Sequence, residues 1–272
     1  GVELRHQDRG ERSEKAKLYN LLEDATCFFE SNLESFSAGL EYLQGRGITR
    51  ETIKEFRLGF APDGWRALGD HLKRREYTDV EIEKCGLSVR GSRGPYDRFR
   101  SRIIFPLVDT LGRPVGFAGR IFASSEDSTG AKYINTPQTV LYEKSRFLYG
   151  FDKAKNDIRQ KKIAVLVEGN IDLILSHQAG VKNTVAVSGT ALTESHLTML
   201  RRLSDSLIFA FDVDKAGVAA SRRALELSYS QDFNVRVADI EGGKDPADIV
   251  AKNPLLWRTI IENALESIAF FL

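Results

Sequence analysis

Apolar residues at Leu18, Leu21, Leu22, Ala25, Phe28 and Phe29 recur three and four positions apart, the spacing that gathers them on one face of a helix. A second helical stretch surrounds Leu40 and Leu43. Thr49 ahead of Thr52 and Ile53 predicts a third, short helix with Thr49 as its N-cap. Beyond Gly91 the period becomes that of strands: Arg102 to Val108, a turn at 109–112 and a return from Pro114 to Phe122 form a hairpin. The first half therefore reads as mixed α+β.

The texture changes near 151–160. From Lys162 onward short apolar runs alternate with helical segments, the pattern of a parallel sheet built from strand-helix-strand units. Strands are predicted from Ile163 to Val167, Thr184 to Val187, Leu207 to Phe211 and Val235 to Ala238. Helices are predicted from Ile171 to Gln178, Thr193 to Leu203 and Ala216 to Ser228, with two more after Pro246 and Pro254. The fold class is α/β, with a doubly wound parallel sheet in the second half. Neither repeats nor low-complexity tracts interrupt the chain.

At 272 residues, 42% of them hydrophobic, the chain suffices for two domains with separate cores. Lys plus Arg number 39 against 38 Asp plus Glu, so a polyanionic partner would be met by local clusters of charge and not by the net +1. Cys27 and Cys85 are far apart, and His6, His71, His177 and His196 lie near neither of them. That excludes zinc-finger spacing and a disulfide framework, and suits a reducing cytoplasm. With no apolar run of membrane-spanning length and no apolar signal core, a soluble cytoplasmic protein without a membrane partner is expected. Gly1 in place of an initiator Met, and an end inside the apolar run from Ile268 to Leu272, suggest an excised piece of a longer protein.

In open parallel sheets ligands sit outside the carboxyl ends of strands, where the strand order reverses. Glu168 directly follows the first predicted strand, Asp212 and Asp214 follow the third, and Asp245 follows the fourth, with Asp248 three residues on. Asp212 and Asp214, two apart on an extended segment, can face one ion, and Glu168 joins them if the first and third strands are neighbours, about 4.8 Å apart. Carboxylates crowded in this way call for a cation, and hard oxygen ligands select Mg²⁺ or Mn²⁺ over zinc. Structural duties compete for each acid singly. Asp214 could cap the helix at Lys215, Asp172 and Asp248 could complement helix dipoles, and Asp245 before Pro246 could form a turn. Glu168, closing an apolar strand, has no such duty.

A basic segment precedes the acids. Arg98, Arg100 and Arg102 alternate along a segment read as extended, which would line them on one face, with Arg93, Arg113 and Arg120 nearby. Lys132, Lys144, Arg146, Lys153 and Lys155 follow, interleaved with Tyr133, Tyr142 and Tyr149. Arginine forks suit phosphate and tyrosine faces suit bases, although a solvated sheet face would look similar. Neither a GxxxxGK[ST] loop nor a GxGxxG fingerprint occurs, which argues against a P-loop ATPase and a dinucleotide dehydrogenase.

The second half resembles a TOPRIM domain, through Val167-Glu-Gly-Asn-Ile-Asp172, Phe211-Asp-Val-Asp214 and Lys244-Asp-Pro246. The first half resembles bacterial DnaG-type primases in order along the chain: Tyr42-Leu-Gln-Gly-Arg-Gly47, Gly59-Phe-Ala-Pro62 with Gly64-Trp65, Asp97-Arg-Phe-Arg100 with Ile104-Phe-Pro106, Gly116-Phe-Ala-Gly-Arg120, Lys132-Tyr-Ile-Asn135 and Leu148-Tyr-Gly150. The resemblance runs from about Tyr42 to Ile249 and implies an RNA-polymerase core that makes short primers on single-stranded DNA from ribonucleoside triphosphates. It divides the chain into a template- and nucleotide-binding subdomain (1–155), a TOPRIM domain (156–254) and the start of a helical subdomain (255–272).

The resemblance also implies roles. Glu168 matches the essential TOPRIM glutamate and Asp212 and Asp214 the metal-binding pair, while Asp172 and Asp245 match further acids of the Mg²⁺ site. Arg46, Arg98, Arg100, Arg120, Lys132 and Lys144 match basic positions for template and nucleotide phosphates, and Tyr133 and Asn135 fall in the nucleotide-contacting stretch. Asn170 stands where the family usually has Tyr, and Ala247 where many members have Asp, which leaves Asp248 as a substitute. The family's zinc-binding and helicase-binding domains have no counterpart here. No zinc is expected in this piece, the replicative helicase would be met through an absent domain, and the piece is expected to be a monomer, chemically competent and poor at site selection. Two rival readings are a TOPRIM nuclease or topoisomerase, for which no catalytic-tyrosine motif is evident, and a non-catalytic single-strand-binding module, which would not need Glu168.

Overall fold

The apolar stripe from Leu18 to Phe29 folds as predicted into a long helix, α1 (Arg9–Glu34), with Leu21, Leu22 and Ala25 fully buried. The structure, a computed structural model, describes residues 9–122, 131–211, 215–240 and 246–266. After α1 come α2 (Ser37–Gly45), α3 (Arg50–Glu55), β1 (Gly59–Ala61), α4 (Ala67–Lys73) and α5 (Asp79–Lys84). Strands β2 (Ser88–Gly91), β3 (Gly94–Asp97), β4 (Arg102–Val108), β5 (Pro114–Ile121) and β6 (Tyr133–Asn135) follow, then a 3₁₀ turn at Lys144–Arg146. The remainder alternates: α6 (Phe151–Lys161), β7 (Ile163–Val167), α7 (Asn170–Gln178), β8 (Thr184–Ala186), α8 (Glu194–Arg201), β9 (Ser206–Phe209) and α9 (Lys215–Tyr229). It ends with β10 (Asn234–Val237), α10 (Pro246–Lys252), α11 (Pro254–Glu262) and β11 (Leu265–Glu266).

The chain forms two compact units, one of Gly1–Leu40, Arg57–Val108 and Gly112–Glu143, the other of Glu41–Phe56, Asp109–Leu111 and Lys144–Leu272. The first unit contains an antiparallel sheet in the order β1-β4-β5-β6 and a separate β2-β3 hairpin. The predicted hairpin is β4 and β5, turned by Gly112 at φ +81° and by the Asp109 carboxylate, which accepts the Leu111 amide at 2.9 Å. Leu18, Leu21, Leu22 and Phe29 pack against Ile104 and Phe117 from the sheet and Leu68 and Leu72 from α4. Phe29 meets Phe117 edge to face at 5.2 Å. The contact of α1 with β1 is so close that a Cβ on Gly59 would lie 2.7 Å from the Phe29 carbonyl carbon, so only glycine fits.

The second unit contains a five-stranded sheet in the order β11-β10-β9-β7-β8, parallel except for β11. Ala164 and Leu166 of β7 share a core with Ile158 of α6, Leu197 and Leu200 of α8 and Leu225 of α9. Val165 and Val167 are equally buried and, by alternation, face the other way, so the sheet is covered on both sides, as a doubly wound α/β fold requires. Four strands were expected and five are present. The fifth, β11, has only two residues, too short for periodicity to reveal. β7 has the predicted bounds, and the other bounded strands and helices predicted in this half differ from the observed ones by at most two residues at either end. Thr49 caps α3 as predicted, accepting the Thr52 amide. Among the described residues no helix is long and apolar enough to cross a membrane.

Candidate active site

The order of strands in the second unit's sheet reverses between β7 and β9, because the chain steps from β7 to β8 on one side and then to β9 on the other. In sheets of this kind the usual ligand position lies outside the carboxyl ends of the two strands that flank the switch point. Glu168 is the first residue past β7 and is half-buried, its backbone held by the Ser188 amide at 3.1 Å. The register pairs Leu166 with Phe209, and the Ala210 amide extends the ladder by donating to the Leu166 carbonyl at 2.9 Å. Glu168 thus lies one residue beyond the end of β7, on the strand that neighbours β9, and Asp212 comes three residues after β9 in the chain. Asp212, Asp214 and Asp245 lie outside the described residues. Among the described residues no three His, Cys, Asp or Glu side chains form a metal-binding group.

Asp172 and Asp248 are both described. Asp172 is the third residue of α7; its Oδ2 accepts the Gly169 amide at 3.1 Å and its Oδ1 the Ala247 amide at 3.2 Å. Asp248 is exposed in the first turn of α10, while Ala247 is buried, so the two side chains leave the helix in different directions. Asn170 is buried at the start of α7 with its Oδ1 unpartnered.

Two of the predicted basic residues belong to this unit. Arg46 follows α2, its guanidinium 6.0 Å from the Tyr42 ring centre. Its loop is clasped to α7 by Gln178, whose Nε2 donates to the Gly47 carbonyl at 2.8 Å and whose Oε1 accepts the Thr49 amide at 2.9 Å. Lys144 is half-buried in the 3₁₀ turn, where the Thr193 hydroxyl donates to the neighbouring Ser145 carbonyl at 2.6 Å and ties that turn to the N-cap of α8.

The other basic residues belong to the first unit. The antiparallel pairing of β5 with β6 sets Arg120 opposite Tyr133, with the guanidinium 5.7 Å from the ring centre. Lys132 is exposed just before β6, and Asn135 ends that strand half-buried. Arg98, Arg100 and Arg102 do not line one face, contrary to the sequence reading. β3 ends at Asp97 and β4 begins at Arg102, and the connection between them contains Ser101 at φ +47°, which breaks the alternation. Arg98 donates to the Gly86 carbonyl at 2.9 Å, and buried Arg102 donates to the Gly119 and Ala131 carbonyls at 3.1 Å each. These bonds anchor both side chains to the first unit's backbone.

Arg100 is placed differently. Its guanidinium stacks 4.1 Å from the Trp65 ring centre and 5.1 Å from that of Tyr96, while Nη1 donates to the Asp97 carbonyl at 2.7 Å. Trp65 is 63% exposed and meets Tyr96 edge to face at 5.4 Å. The cation and the two rings form an open platform suited to a base and a phosphate. Tyr96 was not singled out from the sequence; an exposed Trp beside Gly64 was the available signal.

Asp97, in the same segment, has a structural role. Its buried carboxylate accepts the Leu68 amide at 2.7 Å and the Gly69 amide at 2.9 Å at the start of α4, whose own N-cap residue, Arg66, makes no side-chain cap. Burial pushes this carboxyl up to about 6, against the pull of those two amides.

Comparison with known proteins extends these observations. The N-terminal domain of the DNA primase catalytic core matches residues 28–155 and a Toprim-like family matches residues 165–250. A DNA primase of Clostridium acetobutylicum is 38% identical over 256 residues, covering 93% of this chain and 42% of that protein. The chain spans less than half the length of such curated relatives. The crystal structure of the RNA polymerase domain of Mycobacterium tuberculosis primase DnaG superposes with a TM-score of 0.86 at 36% identity, covering 94% of this chain and 85% of that one. A DnaG primase catalytic domain bound to single-stranded DNA superposes with a TM-score of 0.81 at 31% identity, covering 93% of this chain and 80% of that one.

Proposed function

The chain belongs to the family of bacterial DnaG-type DNA primases and corresponds to their RNA polymerase domain, and from that premise we propose that it joins ribonucleotides into short primers on a single-stranded DNA template. The observation that carries this reading is the adjacency of β7 and β9 at the switch point, with Glu168 directly after β7 and Asp212 three residues after β9 in the chain. The donor set available there is entirely carboxylate oxygen, which fits a hard divalent cation, Mg²⁺ or Mn²⁺. Glu168, Asp212, Asp214 and Asp245 would hold it, with Asp248 as an outer acid. Such a cation, when bound, supplies neutralisation of triphosphate charge and lowers the pKa of a hydroxyl.

The chain's own residues do the positioning. Arg46, Arg120, Lys132 and Lys144 hold phosphates of template and nucleotide, Tyr133 offers a stacking face, and Asn135 a polar contact. The primer 3′-hydroxyl attacks the α-phosphorus of the incoming triphosphate, the bond to pyrophosphate breaks, and the hydroxyl proton leaves to solvent or base. In this division of labour residues 1–155 serve template and nucleotide and residues 156–254 the cation. The piece works as a monomer in the cytoplasm and meets the helicase through a domain outside it.

Incubation with a single-stranded template, ribonucleoside triphosphates and Mg²⁺ is expected to give short RNA products that vanish with EDTA and return with Mn²⁺. Salt-sensitive DNA binding that ignores EDTA, without nucleotide incorporation under either metal, would identify a binding module instead, and cleavage of the DNA a nuclease.

The aromatic platform makes a separate prediction. Arg100→Ala is expected to weaken single-strand binding about tenfold and to lower the slope of log K against log salt by about 0.7. Trp65→Ala is expected to weaken binding comparably and leave the slope unchanged, because it removes a stacking face and no charge. Equal slopes for Arg100→Ala and wild type would remove Arg100 from the DNA contact.

A further inference from the structure

Asp172 was assigned to the metal site on resemblance, but its geometry suits another task. Its bond to the Gly169 amide is an ordinary helix-start interaction, one side of a capping box. The bond from its other oxygen reaches 75 positions along the chain to the Ala247 amide in the first turn of α10. First-turn amides have no partner within their own helix, so one carboxylate satisfies donors of two helices at once.

Gly169 fits this arrangement. Its backbone, at φ −105° and ψ 158°, is open to any residue, so no turn demands glycine there. A Cβ at that position would instead lie 2.6 Å from Asp172 Oδ2. The missing side chain makes room for the carboxylate. Ala247 is buried, so its amide has no ready substitute in water once the carboxylate is gone.

We propose that Asp172 is a positioning residue: its carboxylate fastens the turn after β7 to the start of α10. The turn bears Glu168 one residue before Gly169, and α10 begins at Pro246, one residue after Asp245. The turn that carries Glu168 is thereby held to the first turn of α10 by a carboxylate that does not ligate the ion. This rests on the reading of a cation-dependent site, but the strap itself stands on hydrogen bonds that need no cation.

Two variants test it in the whole chain. Asp172→Asn can accept one amide and must present its NH₂ to the other; Gly169→Ala keeps the charge and pushes the carboxylate aside. Hydrogen exchange is read over 246–252, Mn²⁺ stoichiometry by electron paramagnetic resonance, and primer synthesis as kcat and the apparent KM for metal. Both variants are expected to speed exchange over 246–252 about tenfold, to bind as many Mn²⁺ as wild type, and to lose kcat more than metal affinity. Should Asp172→Asn bind one Mn²⁺ fewer with exchange at wild-type rates, Asp172 is a ligand and the strap is wrong. Wild-type exchange in Gly169→Ala alone would also overturn it. If wild type binds no Mn²⁺, the cation-dependent reading fails, and exchange still decides the strap.

Discussion

Glu168→Gln is expected to lower dinucleotide formation on single-stranded template by a factor on the order of 10³, the scale of removing one charge-stabilising group from a transfer site. The substitution preserves size and leaves the Glu168 carbonyl free to accept the Ser188 amide, so the turn after β7 keeps its shape. What disappears is one negative charge at the carboxyl end of β7, beside the switch point between β7 and β9. In the proposed cluster of carboxylates, removing one acid relieves repulsion in the absence of cations, so the metal-free unfolding midpoint should hold or rise. The check is a primer-synthesis assay beside a melting curve in EDTA. Wild-type synthesis would end the role of Glu168, and a collapsed midpoint would mean that it serves the fold.

The second large effect concerns stability. Asp97→Ala should cost about 2–4 kcal/mol, because two amides at the start of α4 lose their acceptor at a buried position. Asp97→Asn, which can still accept one of them, should cost less. The pH dependence has a definite sign. Burial raises the folded carboxyl from 3.8 to about 6, so its contribution to stability is fully present below the unfolded value and is lost as pH rises through the folded one. Acidifying from about pH 7.5 to about pH 5 should therefore stabilise wild type by about 1 kcal/mol relative to Asp97→Asn. Urea midpoints of both proteins at the two pH values measure it. A difference of opposite sign would mean that the two amides outweigh burial.

Particular residues show how much was legible in advance. β7 was predicted to the residue, since five consecutive apolar side chains bounded by Lys162 and Glu168 leave little choice once both faces are to be buried. Thr49 before a short amphipathic turn foretold α3 and its cap, and the hairpin of β4 and β5 followed from two apolar runs around Asp109 and Gly112. β1, β6 and the β2-β3 hairpin were missed, because strands of three or four residues carry too few alternations to register. Of the acids read at predicted strand ends, Glu168 does follow β7, and Asp212, Asp214 and Asp245 lie outside the described residues. The arginine triplet misled, because one residue with positive φ, invisible in the pattern, redirected the chain.

The order of side chains along the chain determined the strand-helix-strand texture and the Thr49 cap, which depend on neighbours a few residues apart, and its motifs, spelled out in order, carried the family resemblance. Only tertiary structure decided that β9 lies beside β7, that Asp97 serves α4 from another strand, that Arg100 stacks on Trp65 while Arg98 and Arg102 are spent on carbonyls, and that Asp172 reaches α10. These pairings join positions far apart along the chain. A lone pair or an amide finds its partner by proximity in space, and no local spacing in the chain encodes that.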